Sequence, residues 1–495
     1  MTPGDYILTA DIGTSSTKVV LYTPDGQVTA SAGARYQNRT PHSGWAEANP
    51  EDWWGAFSAA LDELGRSHDL QQVHTIVLTG QMHTAVLLDE AGEIIPPTIL
   101  WMDRRATAET AELARNLYLP AYRLNSTYTL PKLLWLARHQ PQVLRKVHTI
   151  LWVKDYIRFR LNGQRLTDVT EAGGAALLDW DTHQWATSRL NAVDIVPSIL
   201  PPLVQPNEVA APLLPHIAER FGLNPRARVL VGAGDVLALI SGAPSQPGRV
   251  TCSLGSSSMV FAPLPAGVSI TDPLERIYVY PLLPQPLLGG VSSTTGAALQ
   301  WAVRALYGEN ADFNTVVNEA LATPPGGEGL IFLPFLSGER SPYWNDALRA
   351  GFYGLTLAHQ RPHLVRAVME GVMFSLRYLL DIFAEAGMSI HEIALAGGGA
   401  ATPGWAQMAA DICGLPVVIY SEQETVTRAC FAYGAHHLGW YASFEAALAA
   451  TFGAPQAHHQ PQPGVAAVYD SVYDRYRRWA DHAAQSMQSI KDTDK

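Results

Sequence analysis

Residues 6–22 read Tyr6-Ile-Leu-Thr-Ala-Asp-Ile-Gly-Thr-Ser-Ser-Thr-Lys-Val-Val-Leu-Tyr22, and this stretch decides the fold. Apolar residues dominate positions 6–12 and again 18–22, which predicts two short strands. The small residues at 13–16 predict a tight turn between them, so the two strands should pair in antiparallel fashion. A third strand, predicted at residues 27–31, would complete an antiparallel meander.

Outward from the meander, strands alternate with helices. Residues 51–67 have apolar side chains at helical spacing and predict an amphipathic helix, and residues 73–78 predict a buried strand. Further helices are predicted at 132–139 and 152–161, with a Gly-rich polar stretch at 167–176. Alternation of this kind indicates an α/β fold.

A second copy of the opening pattern begins near residue 250. Residues 250–254 predict a strand, Gly255 to Ser258 a turn, and residues 259–262 another strand. Internal repeats reveal architecture, and this one predicts two related halves that face each other across a cleft. We expect domains at 1–245 and 246–495, with a hinge at residues 244–249.

Composition restricts the partners. Hydrophobic residues make up 47% and charged residues 16% of the 495 residues, and the formal net charge is −11. Lys and Arg are scattered without a basic stripe, so we expect no nucleic-acid partner. The sequence has no apolar run long enough to span a bilayer and opens without a basic segment before an apolar core, so we expect no membrane association and a cytoplasmic location.

The first turn is a predicted phosphate site. Small residues let backbone N–H groups approach a phosphate, and the hydroxyls of Thr14, Ser15 and Ser16 add donors. Asp11 precedes the turn and is suited to hold Mg²⁺. Lys18, in the second strand, joins the predicted nucleotide contacts. An ordinary Gly-Ser hairpin with a turn-capping Asp is the alternative.

The second turn, with Gly255, Ser256 and Ser257, predicts a matching phosphate contact in the other half. It has no residue equivalent to Asp11, so only the first half would hold the metal. A third glycine cluster, Gly397, Gly398, Gly399 and Ala400, follows a predicted buried strand and precedes a helix predicted near residue 402. Strand, glycine run and helix N-terminus form a nucleotide-binding arrangement, although such a run is as often a plain loop.

Asp235 lies in the apolar, Gly-lined segment Val229-Leu-Val-Gly-Ala-Gly-Asp-Val236. A carboxylate in such surroundings is costly unless it is paired or functional. A kinase needs a base of this kind to accept the proton of the attacking hydroxyl group. The alternative is a helix N-cap.

Gln81, Met82 and His83 follow one predicted buried strand, and Asp103 follows another apolar segment. The ends of strands are where α/β proteins gather ligands, so we predict that these residues bind a hydroxylated substrate. The alternatives are a structural histidine at position 83 and, for Asp103, an N-cap or an ion pair with Arg104 or Arg105.

Taken together, these motifs resemble those of the FGGY carbohydrate kinases over nearly the whole chain. The matching stretches are Asp11-Ile-Gly-Thr-Ser-Ser-Thr-Lys18, Gly44-Trp-Ala-Glu47, Gly80-Gln-Met-His83, Pro131-Lys-Leu-Leu-Trp135, Lys154-Asp-Tyr156, Gly234-Asp235, Ser253-Leu-Gly255, Leu336-Ser-Gly-Glu-Arg340 and Gly397-Gly-Gly399. The resemblance implies two actin-like (ribonuclease-H-like) domains with ATP between them. It also implies that Asp235 is the catalytic base and that Asp11 lies near Mg²⁺.

Within the family, residues 81–103 are most similar to the sugar-binding stretch of xylulokinases. This implies phosphorylation of a terminal hydroxyl of a pentulose such as D-xylulose. Val236 and Met102 depart from the usual xylulokinase residues, and the segment around Trp344 looks more like gluconokinases. Gluconate, other ketoses and polyols therefore stay open, as does an actin-like ATP-binding regulator without sugar turnover. Dimerisation is common in related kinases, so a homodimer is among the expected assemblies.

Overall fold

The computed structural model describes residues 5–119, 123–243, 248–264, 270, 276–280, 286–345, 347–420, 425–452 and 455–493. The chain divides into two compact units. The first comprises Met1–Ala243 and Gln423–Phe452, and the second comprises Pro244–Glu422 and Gly453–Lys495. Most of the predicted hinge, residues 244–247, lies outside the described residues.

A six-stranded sheet forms the centre of the first unit. The strands of this unit are β1 (Tyr6–Ile12), β2 (Ser16–Tyr22), β3 (Val28–Arg35), β4 (Glu47–Ala48), β5 (Val73–Gly80), β6 (Ala85–Leu88), β7 (Thr98–Ile99), β8 (Thr149–Trp152), β9 (Thr167–Asp168), β10 (Leu178–Asp179), β11 (Gln184–Trp185), β12 (Leu203–Val204), β13 (Val209–Pro212) and β14 (Arg228–Leu230). The sheet order is β13-β14-β5-β1-β2-β3. Strands β1 to β3 form the predicted antiparallel meander, and β5 and β14 run parallel to β1.

The helices of this part of the chain are α1 (Pro50–Leu64), α2 (Thr107–Leu117), α3 (Thr129–His139), α4 (Pro141–Leu144), α5 (Val153–Asn162), α6 (Val169–Gly174), α7 (Thr187–Asn191), α8 (Pro215–Phe221) and α9 (Asp235–Ser241). Helices α1, α5 and α9 contact strands of the central sheet. Helix α1 shows why they form: the Asn49 side chain caps its N-terminus, Pro50 occupies the first turn, and Trp53 and Phe57 are buried in the core below.

The second unit repeats the design. Its strands are β15 (Arg249–Leu254), β16 (Ser258–Pro263), β17 (Tyr278–Tyr280), β18 (Leu287–Ser292), β19 (Ile331–Leu333), β20 (Gly351–Tyr353), β21 (Glu392–Ala396), β22 (Val417–Ile419) and β23 (Ala457–His459). Strands β15, β16 and β18 are antiparallel neighbours, and β21 and β22 run parallel to β15. This matches β1, β2, β3, β5 and β14, so the predicted repeat is confirmed.

Helices α10 (Gly296–Tyr307), α11 (Phe313–Leu321), α12 (Arg361–Glu385) and α13 (Trp405–Cys413) pack on the second sheet. The chain then returns to the first unit with α14 (Thr425–His437) and α15 (Phe444–Ala450). Phe431 of α14 is fully buried against Ile7 and Val20 of the first sheet. This differs from the expectation that residues 246–495 form one domain, and the reason is that α14 covers an apolar face of the first sheet. Helix α16 (Pro463–Thr493) belongs to the second unit.

Residues 167–176, the Gly-rich polar stretch of the sequence, contain α6. Asp168 caps this helix by accepting a hydrogen bond of 2.8 Å from the Thr170 N–H. In the described part of the chain, none of the helices combines the length and apolar character that a membrane span needs.

Candidate active site

The turn between β1 and β2 has its carbonyl oxygens bound by side-chain donors. The Tyr36 hydroxyl and the Gln81 amide donate to the Gly13 carbonyl at 2.6 and 3.1 Å. The Asn38 amide donates to the Thr14 carbonyl at 2.9 Å. Binding these acceptors inside the protein reduces the negative potential of the turn, which suits it to an anion. The side chains of Thr14, Ser15 and Ser16 are half-buried or exposed at its surface.

Asp11 is the second-last residue of β1, close to this turn, and is paired in register with Lys18 of β2. Asp11 is half-buried, whereas Lys18 is exposed. The negative charge of Asp11 helps to raise the pKa of Asp235. The structure therefore brings the two predicted acidic site residues within electrostatic reach of each other.

Asp235 begins α9, immediately after the buried Gly234. Its carboxylate accepts a hydrogen bond of 2.7 Å from the Val236 N–H. Burial, followed by the charge of Asp11, raises the pKa of Asp235 to about 7, and the N–H groups of Val236 and Met82 oppose the rise. A carboxyl with this pKa is suited to accept a proton near neutral pH.

Met82 lies in a slot formed by two glycines. A Cβ atom on Gly234 would come within 2.4 Å of Met82 Cγ, and one on Gly174 within 2.3 Å of Met82 Cε. Only residues without a side chain allow this approach. The slot places Met82 next to Asp235, because Gly234 precedes that residue.

His83 follows with φ of 67° and has its ring Nδ1 hydrogen-bonded to the Gly174 carbonyl. Burial, with a smaller effect of Lys132, lowers the pKa of His83 to about 3, so the ring is neutral. A carbonyl oxygen only accepts, so Nδ1 carries the proton and Nε2 is an acceptor. The ring also contacts Tyr128 edge-on, with centroids 4.7 Å apart.

Gln81 and Asp103 lie in other surroundings. The Gln81 amide binds the Gly13 carbonyl, which places this side chain at the turn predicted to bind phosphate. Asp103 is fully buried, and both of its oxygens accept bonds from Arg105 at 2.8–2.9 Å. The Ala46 N–H adds another bond at 2.5 Å. Asp103 therefore forms an ion pair with Arg105, one of the alternatives that the sequence left open. Among the hydrogen bonds of the described residues, none joins Asp103 to Met82.

In the second unit, the turn with Gly255, Ser256 and Ser257 is joined to the start of α10. The Thr295 N–H donates to the Ser256 carbonyl at 2.8 Å, and the Gly296 N–H donates to the Gly255 carbonyl at 2.9 Å. Sequence reasoning did not single out Thr295 and Gly296, although Ser-Ser-Thr-Thr-Gly296 is a further run of small polar residues after a strand.

The third glycine cluster lies beside the same turn. Gly397 has φ of 84°, and a Cβ atom there would come within 2.5 Å of the Leu254 carbonyl, directly before Gly255. Gly398 to Ala401 form a short 3₁₀ turn, and α13 begins only at Trp405, three residues later than the helix start expected at 402. Two of the predicted nucleotide segments are thus neighbours within the second unit.

Most of the chain matches a known protein family. Residues 6–242 match the N-terminal domain, and residues 250–443 the C-terminal domain, of the FGGY family of carbohydrate kinases. The chain belongs to the FGGY family. It is therefore a sugar phosphotransferase, and its two units have the actin-like ATPase fold of this family.

Three relatives of this FGGY kinase are informative. The xylulose kinase of Bacillus subtilis (strain 168) is 31% identical, with 98% of this chain and 99% of the relative covered. Crystal structures of a gluconate kinase and a ligand-bound xylulose kinase, both from Lactobacillus acidophilus, are each 27% identical with a TM-score of 0.90. Each alignment covers 98% of this chain, with 99% of the gluconate kinase and 100% of the xylulose kinase.

A buried ionic network supports the site of this FGGY kinase, and sequence reasoning gave it no role. Lys154 Nζ lies 2.7 Å from the carboxylates of both Asp155 and Asp168. Arg158 donates to Asp155 at 2.8 Å and to the Val231 carbonyl at 3.2 Å. The network therefore holds the segment that leads to Asp235. In the sequence, Lys154 and Asp155 stood out only as part of the matching stretch Lys154-Asp-Tyr156.

Helix α6 continues this support. The Gly234 N–H donates to Thr170 Oγ1 at 3.0 Å. The next residue, Glu171, is fully buried, and neither of its carboxyl oxygens has a hydrogen-bond partner in the part of the chain that the structure describes. Burial raises the pKa of Glu171 well above its ordinary value, against the effect of Lys154. The raised pKa favours the neutral acid form of Glu171, and the charge of Asp235 contributes to the rise.

Proposed function

We propose that this carbohydrate kinase transfers the γ-phosphoryl group of ATP to a terminal hydroxyl of D-xylulose, giving D-xylulose 5-phosphate. The observation that carries the proposal is the placement of Asp235, with a pKa of about 7, directly beside the slot that holds Met82. The substrate of the Bacillus subtilis relative, xylulose, gives the sugar.

Asp235 would act as the general base. Its carboxylate accepts the hydroxyl proton as the hydroxyl oxygen attacks the γ-phosphorus, and ADP leaves with the electron pair of the broken P–O bond. Met82 would contact the carbon chain of the sugar. The Nε2 atom of His83, an acceptor in the tautomer described above, would accept a hydrogen bond from another sugar hydroxyl.

Each unit carries its own candidate contacts for a nucleotide. In the first unit, the hydroxyls of Thr14, Ser15 and Ser16 would bind phosphate oxygens, with the exposed Lys18 ammonium nearby. In the second unit, Gly255 to Ser257 would contact phosphates, and Gly397 to Ala400 would contact the adenosine part.

Magnesium fits the first unit. Asp11 supplies a half-buried carboxylate next to the phosphate turn, and Mg²⁺ prefers oxygen ligands. Among the described residues, no cluster of three or more His, Cys, Asp or Glu side chains forms a metal site by itself. Mg²⁺ typically relies on one or two carboxylates together with phosphate oxygens and water, so Asp11 is a sufficient protein ligand. When bound, the ion would neutralise part of the phosphate charge.

The charges around the acceptor site favour a neutral sugar over gluconate. Three basic side chains near this site already bind protein groups: Arg105 (Asp103 and Glu47), Lys154 (Asp155 and Asp168) and Lys132 (the Thr127 carbonyl). Burial also lowers the pKa of Lys132 to about 7, which reduces its positive charge. A carboxylate on the acceptor would therefore lie close to Asp235, while these three cations are already bound to protein groups.

The test is coupled ADP release with ATP–Mg²⁺ and a panel of D-xylulose, L-xylulose, D-ribulose, D-gluconate, glycerol and erythritol. We expect the highest kcat/KM with D-xylulose. The Asp235→Asn variant should fold normally and lose about 10²–10⁴-fold in kcat, the usual contribution of a positioned base. A preference for gluconate would overturn the sugar assignment, and near-normal turnover by Asp235→Asn would overturn the role of the base.

A further inference from the structure

The side chain of Trp101 reaches the phosphate turn. Its indole Nε1 lies 2.9 Å from Thr14 Oγ1, across 87 positions of sequence. The backbone of Trp101 is held separately, because its N–H donates to the hydroxyl of the fully buried Thr84 at 3.1 Å. The indole therefore approaches Thr14 from a fixed point on the loop that follows β7.

The direction of this hydrogen bond is determined by chemistry. An indole N–H only donates, so Thr14 Oγ1 must be the acceptor. A threonine hydroxyl has one proton, and that proton is not used in the bond to Trp101. It stays available for a second partner, and that partner must be an acceptor.

Phosphate oxygens are such acceptors, and Thr14 is only half-buried. The backbone carbonyl groups of the turn also have hydrogen-bond donors inside the protein. The Asn38 amide already binds the Thr14 carbonyl, and the Gly13 carbonyl accepts from Tyr36 and Gln81. These three residues bind the backbone acceptors, while Trp101 binds the side-chain acceptor of Thr14.

We propose that Trp101 is a positioning residue for the phosphoryl donor: its indole N–H orients the Thr14 hydroxyl so that its proton points to a phosphate oxygen of the nucleotide. This inference rests on the proposed function, because it assumes that ATP binds at this turn. It adds a residue outside the turn, on the loop that also carries Asp103, to the phosphate site.

The first experiment is Trp101→Phe, which keeps an aromatic ring and removes the N–H. We expect the KM for ATP to rise about 2- to 10-fold, as for the loss of one net hydrogen bond, with the KM for D-xylulose unchanged. Trp185→Phe is the matched control, since the Trp185 indole donates to the Pro201 carbonyl at 3.1 Å in the same unit. It should leave the KM for ATP unchanged.

A double-mutant cycle then separates positioning from general damage. In a Thr14→Val background the hydroxyl is absent, so Trp101→Phe should have no further effect on the KM for ATP, whereas in a Thr14→Ser background its effect should return. The inference is overturned if Trp101→Phe raises the KM for ATP by the same factor in the Thr14→Val background as in the wild type. It is also overturned if Trp101→Phe raises only the KM for the sugar.

The proposed function and this inference can fail separately. If the wild-type protein phosphorylates none of the sugars, the proposed function fails, and calorimetric titration with ATP–Mg²⁺ replaces KM as the readout of the same cycle. If the wild-type enzyme turns over D-xylulose and the cycle shows no coupling between Trp101 and Thr14, the inference alone fails.

Discussion

The ammonium group of Lys154 lies 2.7 Å from the carboxylate of Asp168, and neither side chain has exposed surface. Lys154 also binds Asp155, and these two carboxylates raise the pKa of Lys154 in spite of its burial. Lys154 is therefore protonated. Because Asp168 caps α6 and α6 holds Gly234 through Thr170, Lys154 stabilises the segment that carries the proposed base.

Removal of Lys154 should destabilise the first unit strongly. Lys154→Met leaves two buried carboxylates with one cation fewer, and breaking a buried pair in this way typically costs about 3–5 kcal/mol. Denaturant unfolding followed by circular dichroism measures the loss.

The matched control is Arg220→Met. Arg220 lies 2.8 Å from Asp62, but their side chains are 57% and 39% exposed, and an exposed pair contributes about 0–1 kcal/mol. Equal losses in the free energy of unfolding for the two variants would show that burial does not increase the contribution of the Lys154 network to stability.

The antiparallel meanders could be predicted because their signals are local. Alternating apolar residues and a turn of small residues define each strand pair, and the copy at β15 and β16 repeats the pattern of β1 and β2. Asp235, Met82 and His83 were predicted from polar residues at the ends of apolar segments, and the structure places them around one slot.

Long-range partners could not be predicted in the same way. The sequence of α14 is apolar enough to be buried, but it does not say which sheet it covers, so its place on the first unit was missed. The pairing of Lys154 with Asp168 and the bond between Trp101 and Thr14 join residues far apart in the chain. Asp103 shows the opposite case, since its partner Arg105 lies only two residues away and the ion pair was one of the alternatives open from the sequence.

The pH dependence of kcat/KM should report Asp235. A base acts in its deprotonated form, and burial with the charge of Asp11 raises its pKa to about 7. We therefore expect kcat/KM for D-xylulose to fall about tenfold per pH unit below pH 7 and to level off above it, because kcat/KM for the sugar reports the enzyme before it binds the sugar. The profile is measured with Mg²⁺ and ATP fixed. An acid limb near pH 4, typical of an exposed carboxyl, would contradict the electrostatic account of this residue.

Gly174→Ala should impair acceptor binding more than folding. The added methyl group would approach Met82 Cε to 2.3 Å, and Met82 is a flexible side chain that can move aside. Movement of Met82 out of its slot should raise the KM for D-xylulose several-fold, and the melting temperature should change by only a few degrees. Steady-state kinetics and thermal unfolding measure the two effects.

Gly55→Ala is the control for this substitution. Gly55 lies within α1 and a Cβ atom there would meet nothing within 4 Å, so Ala should leave the kinetics unchanged and stabilise the helix slightly. A normal KM for the Gly174→Ala enzyme would show that the position of Met82 does not limit sugar binding.

Glu171 should make the wild-type protein less stable as the pH rises. In the folded state its pKa lies well above the ordinary value of 4.5, because burial favours the neutral acid. Between pH 4.5 and the raised pKa, the unfolded chain has released this proton and the folded chain still holds it. The free energy of unfolding therefore decreases with pH in this window, by up to about 1.4 kcal/mol per pH unit.

Glu171→Gln removes the titrating group and nearly keeps its shape. The difference in stability between Glu171→Gln and the wild type should therefore grow in favour of the variant as the pH rises above about 4.5, measured by denaturant unfolding at each pH. Glu171→Leu, which also lacks a titrating group, should show the same trend relative to the wild type. A difference that stays constant with pH would mean that Glu171 titrates alike in the folded and unfolded chain, and that its carboxyl is ionised next to Asp235.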